Sequence, residues 1–561
     1  MRTLLALTSI AMVLPIAGCG AAMRRYPLAE PMWSDPDSEA FGPAPPEWYS
    51  PYMWDGADNS VFRPLAEVWR LQLAREAINV NAVDEVPSSS WFTNRLSVHE
   101  LSPAAVAAGA CHEADPGVED ADIEGPFTIT GGKPDGSSPG FFVRDGRGVT
   151  YLMKPDGGEQ AGRWAASDAI GAAVFWAAGY NAPCNRVVFA PRDAFVLEEG
   201  AEARYTSGHR EPLTQETVDE ILDRAAVDEQ GQLRFGLSQF VEGEPIAPWT
   251  YAGTWDRDPN DVVPHEHRRE VRAMYVLSSW LSHIDSRQEN TLASWIEVGE
   301  GTGYVRHYML DFSDTLGILH PVERLAARFG HSGYFDLGHM FEDLVTLGAI
   351  QRPWDEHTRG RAGAVLGNFD VDHYVPDQWR PGYPNPAYER MTERDAAWMA
   401  RILARFSDAH VHALSRRGRW NDVVVERELE RVLAGRRDRA LERWLGRLSP
   451  LSLPVAEGRR VCTEDLAVVA RIRRADARRY AAQAWTGEPL VARDLAVEVP
   501  APGRACVVVP RTEGGPQPAY VVVDLTARTG DERVSPLRFH AYDVGDDDVR
   551  IVGVERPDAH D

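Results

Sequence analysis

The chain runs to 561 residues and carries 84 acidic against 59 basic side chains, a formal charge of −25. That balance argues against nucleic-acid binding and against adhesion to anionic lipid through charge. The length, about four times a ~150-residue domain, suits a large body in two parts with an accessory domain, and the order of strand and helix patterns along it predicts an α+β fold.

The first residues follow a secretory pattern: Arg2 gives a short basic start, and residues 4–14 an apolar run too short to span a bilayer. Ile16-Ala17-Gly18-Cys19 then resembles the lipobox of bacterial lipoproteins, in which cleavage precedes a cysteine that carries lipid. The resemblance implies a signal peptide over 1–18, a lipid such as palmitate on Cys19, and an exported protein anchored to the cell envelope through that residue. Gly20, where inner-membrane retention would have Asp, implies the outer membrane. Several acyl chains hold a protein on a membrane far more firmly than one. Four further cysteines, Cys111, Cys184, Cys462 and Cys506, allow two disulfides in an oxidising compartment. Three pairings are open to them, of which pairing by neighbourhood joins Cys111 to Cys184 and Cys462 to Cys506. There is no CxxC and no His-Cys cluster, so a structural zinc site is not expected.

Residues 19–60, rich in Pro, Trp and acidic side chains, read as an extended tether that lifts the body off the membrane. Helical periodicity follows over 66–78, and the Ser-rich stretch 88–95 is not helical. Strands are expected at 127–130, 141–144 and 150–154, with a Gly/Ser turn over 131–140 between the first two. An Ala-rich helix over 162–178 stops at Gly179 as a C-cap would. Strands at 186–190, 194–197 and 233–241 complete a first region over 61–261. Helices are expected to dominate 262–487, most clearly at 396–413 and 423–448. The alternating tail, 488–561, reads as a small β-sandwich. His265-Glu266-His267 suggests metal, yet residues two apart on a helix do not share a face, and Pro264 before them fits a helix start. The tryptophans read as core or interface anchors.

Only two lysines occur, Lys133 and Lys154, against dozens of arginines. Arginine replaces lysine at most solvated positions, but not where a compact, rotatable ammonium must sit against phosphate oxygens. Lys154, at the end of an expected strand, is therefore a candidate phosphate ligand. Further on, Leu281-Ser282-His283-Ile284-Asp285-Ser286-Arg287-Gln288-Glu289-Asn290 ends a helix and contains H-x-D-x-x-x-x-N. Tyr308-Met309-Leu310-Asp311-Phe312-Ser313 then reads as an apolar strand that delivers an aspartate. Phosphoryl transfer needs phosphates held, magnesium bound by carboxylate and amide oxygens, and a carboxylate beside the attacking oxygen.

These segments resemble the catalytic loop and metal-binding aspartate of the protein-kinase-like superfamily, particularly its HipA-like and phosphatidylinositol-kinase-like branches, over roughly 127–319. The resemblance implies a two-lobed fold, β-rich then helical, and Mg2+ with ATP or another nucleotide as cofactors. It implies that Lys154 meets the nucleotide phosphates, that Asp285 orients the acceptor hydroxyl, and that Asn290 and Asp311 hold magnesium. Gly131, Gly132, Lys133, Ser137 and Ser138 would approach the phosphates, and the backbone of Phe240 and Val241 would meet the adenine as a hinge. Asp168, in the helix after Lys154, is preferred over Glu159 as the acid that positions the lysine, and His283 reads as a packing residue.

The departures bear on substrate. The Gly turn is not G-x-G-x-x-G, Ser313 stands where DFG has glycine, Ile284 replaces the usual arginine, and no APE-like segment is found. Two functions follow: an anchored phosphotransferase acting on an unknown hydroxyl acceptor, or an inactive kinase-like lipoprotein that binds or scaffolds envelope proteins. Nucleotidyl transfer has no separate mark in the sequence. A hydrolase is disfavoured, since no G-x-S-x-G is read as a strand-to-helix nucleophile elbow and no H-E-x-x-H occurs.

Overall fold

The computed structural model describes residues 24–48, 52–68, 75–123, 125–134, 139–205, 208–318, 323–356, 359–487, 491–512, 518–532, 534–545 and 547–557. The signal peptide, Cys19, Ser137 and Ser138 lie outside the described residues. The fold is α+β, with several separate sheets around a large helical core. Among the described residues no helix is long and apolar enough to cross a membrane.

The first sheet has seven strands: β1 (Phe127–Lys133), β2 (Gly140–Arg144), β3 (Thr150–Pro155), β4 (Asn185–Ala190), β5 (Phe195–Arg204), β6 (Arg210–Pro212) and β7 (Leu233–Gln239). Their order is β4-β7-β3-β2-β1-β5-β6, antiparallel throughout except for the parallel pair β1–β5. Alternation builds it, because period-2 side chains share a face. Phe127, Ile129, Phe141, Val143, Tyr151 and Met153 turn inward to one core, while Thr128, Phe142 and Leu152 face the other way. Each large apolar side chain so buried contributes about 1.5–3 kcal/mol relative to exposure.

Helix α1 (Arg163–Ala178) is buried on nearly every side, which its small residues permit. It packs against β4 and β7 on one side and the helical core on the other. Gly171 is required for that: a Cβ there would lie 2.5 Å from Phe312 Cβ. The Cys111–Cys184 disulfide fastens the short helix Cys111–Ala114 to the loop that enters β4.

The helical core centres on α2 (Arg269–Leu281), buried along its whole length. Helices α3 (Glu393–Leu403) and α4 (Val423–Trp444) pack on it through Trp280, Trp398 and Trp444. The run expected as one helix over 396–413 breaks after Leu403, where Ser407 caps a new helix, Asp408–Arg417. Around His265 a single 3-10 turn, His265–His267, leads into α2. His265 Nε2 pairs with Asp261 at 2.8 Å, and the Glu266 carboxylate accepts the Gly253 N–H at 2.6 Å, so these side chains close a turn.

Three expectations are corrected. Strands β9 (Thr291–Gly299) and β10 (Thr302–Met309) interrupt the region read as helical, beyond the strand expected at 308–313, and form a second sheet with β8 (Glu244–Ala247) in the order β10-β9-β8. The tail of strands begins well before residue 488, with β11 (Val455–Glu457), β12 (Arg460–Glu464) and β13 (Arg478–Thr486). The helix expected over 66–78 is described only as Arg63–Val68; the Arg75 carbonyl accepts from Arg272, and the Ile78 N–H donates to His267, so 75–78 follows α2 instead of coiling.

The tail continues through β14 (Val491–Leu495), β15 (Val497–Ala501), β16 (Arg504–Val508), β17 (Ala519–Thr529), β18 (Leu537–Gly545) and β19 (Asp548–Glu555). Two sheets, β11-β12-β16-β15 and β14-β13-β17-β18-β19, enclose a common core that includes Val461, Val507, Val523 and Phe539. Cys462 and Cys506 face each other in the β12–β16 ladder and are disulfide-bonded.

The segment read as a free tether is also different. Residues 24–48 are extended, but they lie along the body. Tyr26 is buried with Tyr520, Val522 and Val552, and Asp37 accepts the Ser90 N–H and hydroxyl at 2.9 Å each. Phe41 bridges Gly303 of β10, and the Trp48 N–H donates to the Ile246 carbonyl. Pro-rich composition keeps the backbone extended, while the interspersed aromatic and acidic side chains supply the docking contacts.

One buried ionic network joins the segment at Asp84 to the helical core and the C-terminal tail. Asp84 pairs with Arg269 of α2 and with Arg556, each at 2.7 Å, while Arg401 of α3 meets Glu85 at 3.2 Å. Arg556 Nη2 also donates to the Leu451 carbonyl. Three arginines hold the Asp84 carboxyl well below the ordinary carboxylate range against the upward push of burial.

Candidate functional site

Lys154 sits on β3 opposite Gly236 of β7, with its ammonium 4.9 Å from the Trp164 ring centre. Its Nζ lies 3.3 Å from Asp311 Oδ2, on the segment that follows β10. The start of β2 closes over it: a Cβ on Gly140 would lie 2.5 Å from the Met153 carbonyl oxygen and 3.0 Å from Lys154 Cγ. Asp168, one turn into α1, accepts the Phe312 N–H on Oδ1 at 2.9 Å. Glu159 is exposed in the 3-10 turn Gly158–Gln160, whereas Asp168 lies near enough to raise the Lys154 pKa through its charge, the direct ion pair of Lys154 being with Asp311.

Asp311 is fixed by its own turn, Oδ1 accepting the Ser313 N–H at 2.9 Å and the Ser313 hydroxyl at 2.5 Å. Ser313, a departure from the expected glycine, therefore orients the aspartate. Arg163 of α1 donates to the Ser313 and Thr315 carbonyls at 2.7 and 3.0 Å, which ties the turn to the helix.

The 282–290 loop meets the same turn. The Ile284 N–H donates to the Asp314 carbonyl, His283 Nε2 lies 3.2 Å from the Asp311 carbonyl, and the Leu310 N–H donates to the Asn290 carbonyl. His283 is fully buried against Phe175 and Phe312, as a packing residue should be. Asn290 Nδ2 donates to Asp285 Oδ2 at 2.9 Å and to the Asp285 carbonyl at 2.8 Å. Asp285 Oδ1 lies 3.0 Å from Arg287 Nε, and the Arg287 guanidinium covers the Tyr383 ring.

Asp168, Asp285, Asp311 and Asp314 therefore crowd one region in which Lys154, Arg163 and Arg287 are the near cations. Burial pushes Asp168 up to about 7, Asp311 adds to this, and Lys154 opposes it. Burial, then Asp285 and Asp311, likewise push Asp314 up to about 7. Burial would also raise Asp311, but Lys154 and Ser313 outweigh it and hold that carboxyl well below the usual range. Burial would lower Lys154, yet Asp311 and Asp168 keep its ammonium above its ordinary value. The Asp311 side chain is 34 % exposed, so water screens part of this attraction. Among the described residues no group of three or more His, Cys, Asp and Glu side chains is placed to hold a metal ion.

The remaining expected residues divide. Gly131 and Gly132 belong to β1 instead of the turn, paired with Phe142 and Phe141; their missing side chains make room for Glu202 and Leu213. Lys133 ends β1 opposite Gly140. Phe240 follows β7, its N–H donating to the Thr150 carbonyl and its exposed ring edge-on to Phe142 at 6.0 Å. Val241 continues this segment toward β8. Sequence reasoning missed Gly140, Trp164, Arg163 and Asp314. Of these, Asp314 carried a signal, as a second acid three residues after Asp311 on the same short segment.

A cavity of about 860 Å3 adjoins the loop at Ser282 and Ile284, walled by Tyr275, Phe329, Trp379 and Tyr383, and neither Lys154 nor Asp311 lines it. Comparison of the chain with protein-family models, curated proteins and solved structures finds no match.

Proposed function

We propose that the chain is a membrane-anchored, atypical kinase-like phosphotransferase that uses a Mg-nucleotide on a hydroxyl acceptor. The observation that carries this reading is the meeting of Lys154 and Asp311, 157 residues apart, beside the Asp285–Asn290 pair. In a site of this kind Lys154 binds nucleotide phosphates as a point charge, and Asp168 holds the lysine. Asp285 orients the acceptor hydroxyl, and Phe240 and Val241 border the base. The excess of carboxylates over cations favours a divalent cation with a triphosphate. Bound magnesium, on Asp311 and the Asn290 side-chain oxygen, would neutralise charge on the phosphates. A β-rich first region, with strands in the order β4-β7-β3-β2-β1-β5-β6 and α1 packed against β4 and β7, supports this reading. The 860 Å3 cavity is lined by Ser282 and Ile284, at the start of the loop that carries Asp285. Anchoring rests on the lipobox at Cys19, which directs the protein to the cell envelope, the outer membrane by Gly20.

A second reading, an inactive kinase-like lipoprotein that scaffolds envelope proteins, draws on a specific observation. Asp311 is engaged by Lys154 and Ser313, Asn290 by Asp285, and the described residues hold no ready metal cluster. Thermal melting of the purified protein with Mg-ATP, ATP with EDTA, and Mg2+ alone separates the two. Ligand that binds only the native state raises the melting temperature. A magnesium-dependent rise that Lys154→Ala and Asp311→Asn both abolish supports the phosphotransferase. No rise with any nucleotide at millimolar concentration supports the scaffold.

A further inference from the structure

We infer that the C-terminal β domain is the membrane-facing end of the molecule, held against a lipid bilayer by a leash of only a few residues. The inference rests on the proposed lipidation of Cys19, and it comes from where the described chain first becomes fixed. Tyr26 is 5 % exposed. Its N–H donates to the Tyr520 hydroxyl at 3.0 Å, and its carbonyl accepts from Tyr542 at 2.9 Å. Its ring lies 4.8 Å from that of His540. The seat is shaped for the ring, because a Cβ on Gly553 of β19 would come within 2.5 Å of it.

The face involved follows from strand alternation. On β17, Val521, Val523 and Leu525 point into the core shared by the two sheets, whereas Tyr520 and Val522 point outward and cluster with Tyr26 and Val552. Tyr26 therefore covers the outer face of the five-stranded sheet. From Cys19 to Tyr26 there are seven residues, which span at most about 25 Å even when fully extended. A free tether to residue 60 would instead allow about 140 Å. A lipid inserted at Cys19 thus keeps the outer sheet face within about 25 Å of the headgroups, whatever path the leash takes. Arg24 and Arg25 occupy the leash, their guanidinium groups over the Tyr26 and Tyr520 rings at 4.7 and 5.1 Å, so the cations nearest the lipid belong to this face. With a net charge of −25, the body as a whole is not drawn to an anionic surface, and the covalent lipid sets the orientation.

The test uses the full lipidated protein reconstituted into phosphatidylcholine vesicles that carry a headgroup-labelled acceptor lipid. A donor dye is placed on Arg550→Cys, exposed on β19 and paired with Tyr542, or on Glu216→Cys, exposed on the helix Gln215–Leu222 that packs on the first sheet. Energy transfer several-fold stronger from position 550 than from 216 is expected. Insertion of twenty Gly/Ser residues between Met23 and Arg24, which leaves the Tyr26 seat intact, should reduce transfer from 550 by at least half. Equal transfer from both positions in acylated protein, or no loss on insertion, overturns the orientation while leaving the lipid anchor standing. An intact mass without acyl groups overturns the anchor itself, and the orientation with it.

Discussion

Replacing Asp168 by Asn should change the pH dependence of stability more than stability itself. The Asn side-chain oxygen can still accept the Phe312 N–H that Asp168 now accepts at 2.9 Å, so the local fold is kept. The native carboxyl is pushed up to about 7 from an ordinary 3.8, by burial first and by Asp311 second. The native state therefore holds a proton that the unfolded chain releases. A carboxyl raised in this way contributes stability in full below about pH 3.8 and loses it as pH rises toward 7. The slope through that window is about 1.4 kcal/mol per pH unit. Between pH 5 and pH 7.5 the wild type should lose on the order of 2–3 kcal/mol through this group, and the variant none of it. Asp314, also near 7, remains in both proteins and cancels in the comparison. Urea unfolding followed by tryptophan fluorescence reads this directly, since Trp164 and Trp176 flank Asp168 on α1. The difference between variant and wild type should grow in favour of the variant from pH 5 to pH 7.5 and then level off. A constant difference across that range would refute the account of Asp168 as a strained, buried acid.

Gly171→Ala should destabilise the protein by about 1–3 kcal/mol through overpacking, because the new methyl meets Phe312; it should also weaken any nucleotide-dependent thermal shift, and an unchanged melt would remove the close α1–Phe312 contact. Cys462→Ala with Cys506→Ala opens a crosslink spanning 44 residues of sequence and should lower stability by about 2–4 kcal/mol on the loop-entropy argument, read by denaturant midpoint under non-reducing conditions. Asp37→Ala leaves the buried Ser90 N–H without its acceptor and the Ser90 hydroxyl with His307 Nδ1 alone, 3.2 Å away. A loss of about 1–3 kcal/mol is expected there, seen as faster amide exchange at residues 35–43. Exchange unchanged at those residues would mean that other contacts hold the N-terminal segment.

Much of the site was legible because its parts are local. Lys154 stood out by lysine scarcity, α1 by its run of small residues ending at Gly179, and Asp285, Asn290 and Asp311 by spacing on one continuous stretch. What pairs them is tertiary: nothing in the sequence says that Ser313, not glycine, clamps Asp311, or that Arg163 reaches the Ser313 carbonyl. Of the β9–β10 hairpin only the end of β10 was legible, and β9 was hidden by the helical pattern before it. β13 was obscured by Arg478, a charged residue that is buried only because Asp465 pairs with it at 2.7 Å. The N-terminal segment failed for the same reason, since Pro-rich composition reports an extended backbone but not the surface along which it runs. The disulfides followed sequence neighbourhood because each joins segments that one local unit brings together.

The salt bridge between Asp84 and Arg556 spans 472 residues of sequence. Contacts of that separation form late in folding, after the chain between them has been brought together. For a polypeptide threaded through a membrane pore from its N-terminus, Asp84 emerges long before its partner. Until Arg556 arrives, Asp84 and its neighbouring arginines lack one member of their network, so the helical core should be slow to lock. On the proposed export, through a pore that passes only unfolded chain, this arrangement would delay native closure until nearly the whole chain has crossed.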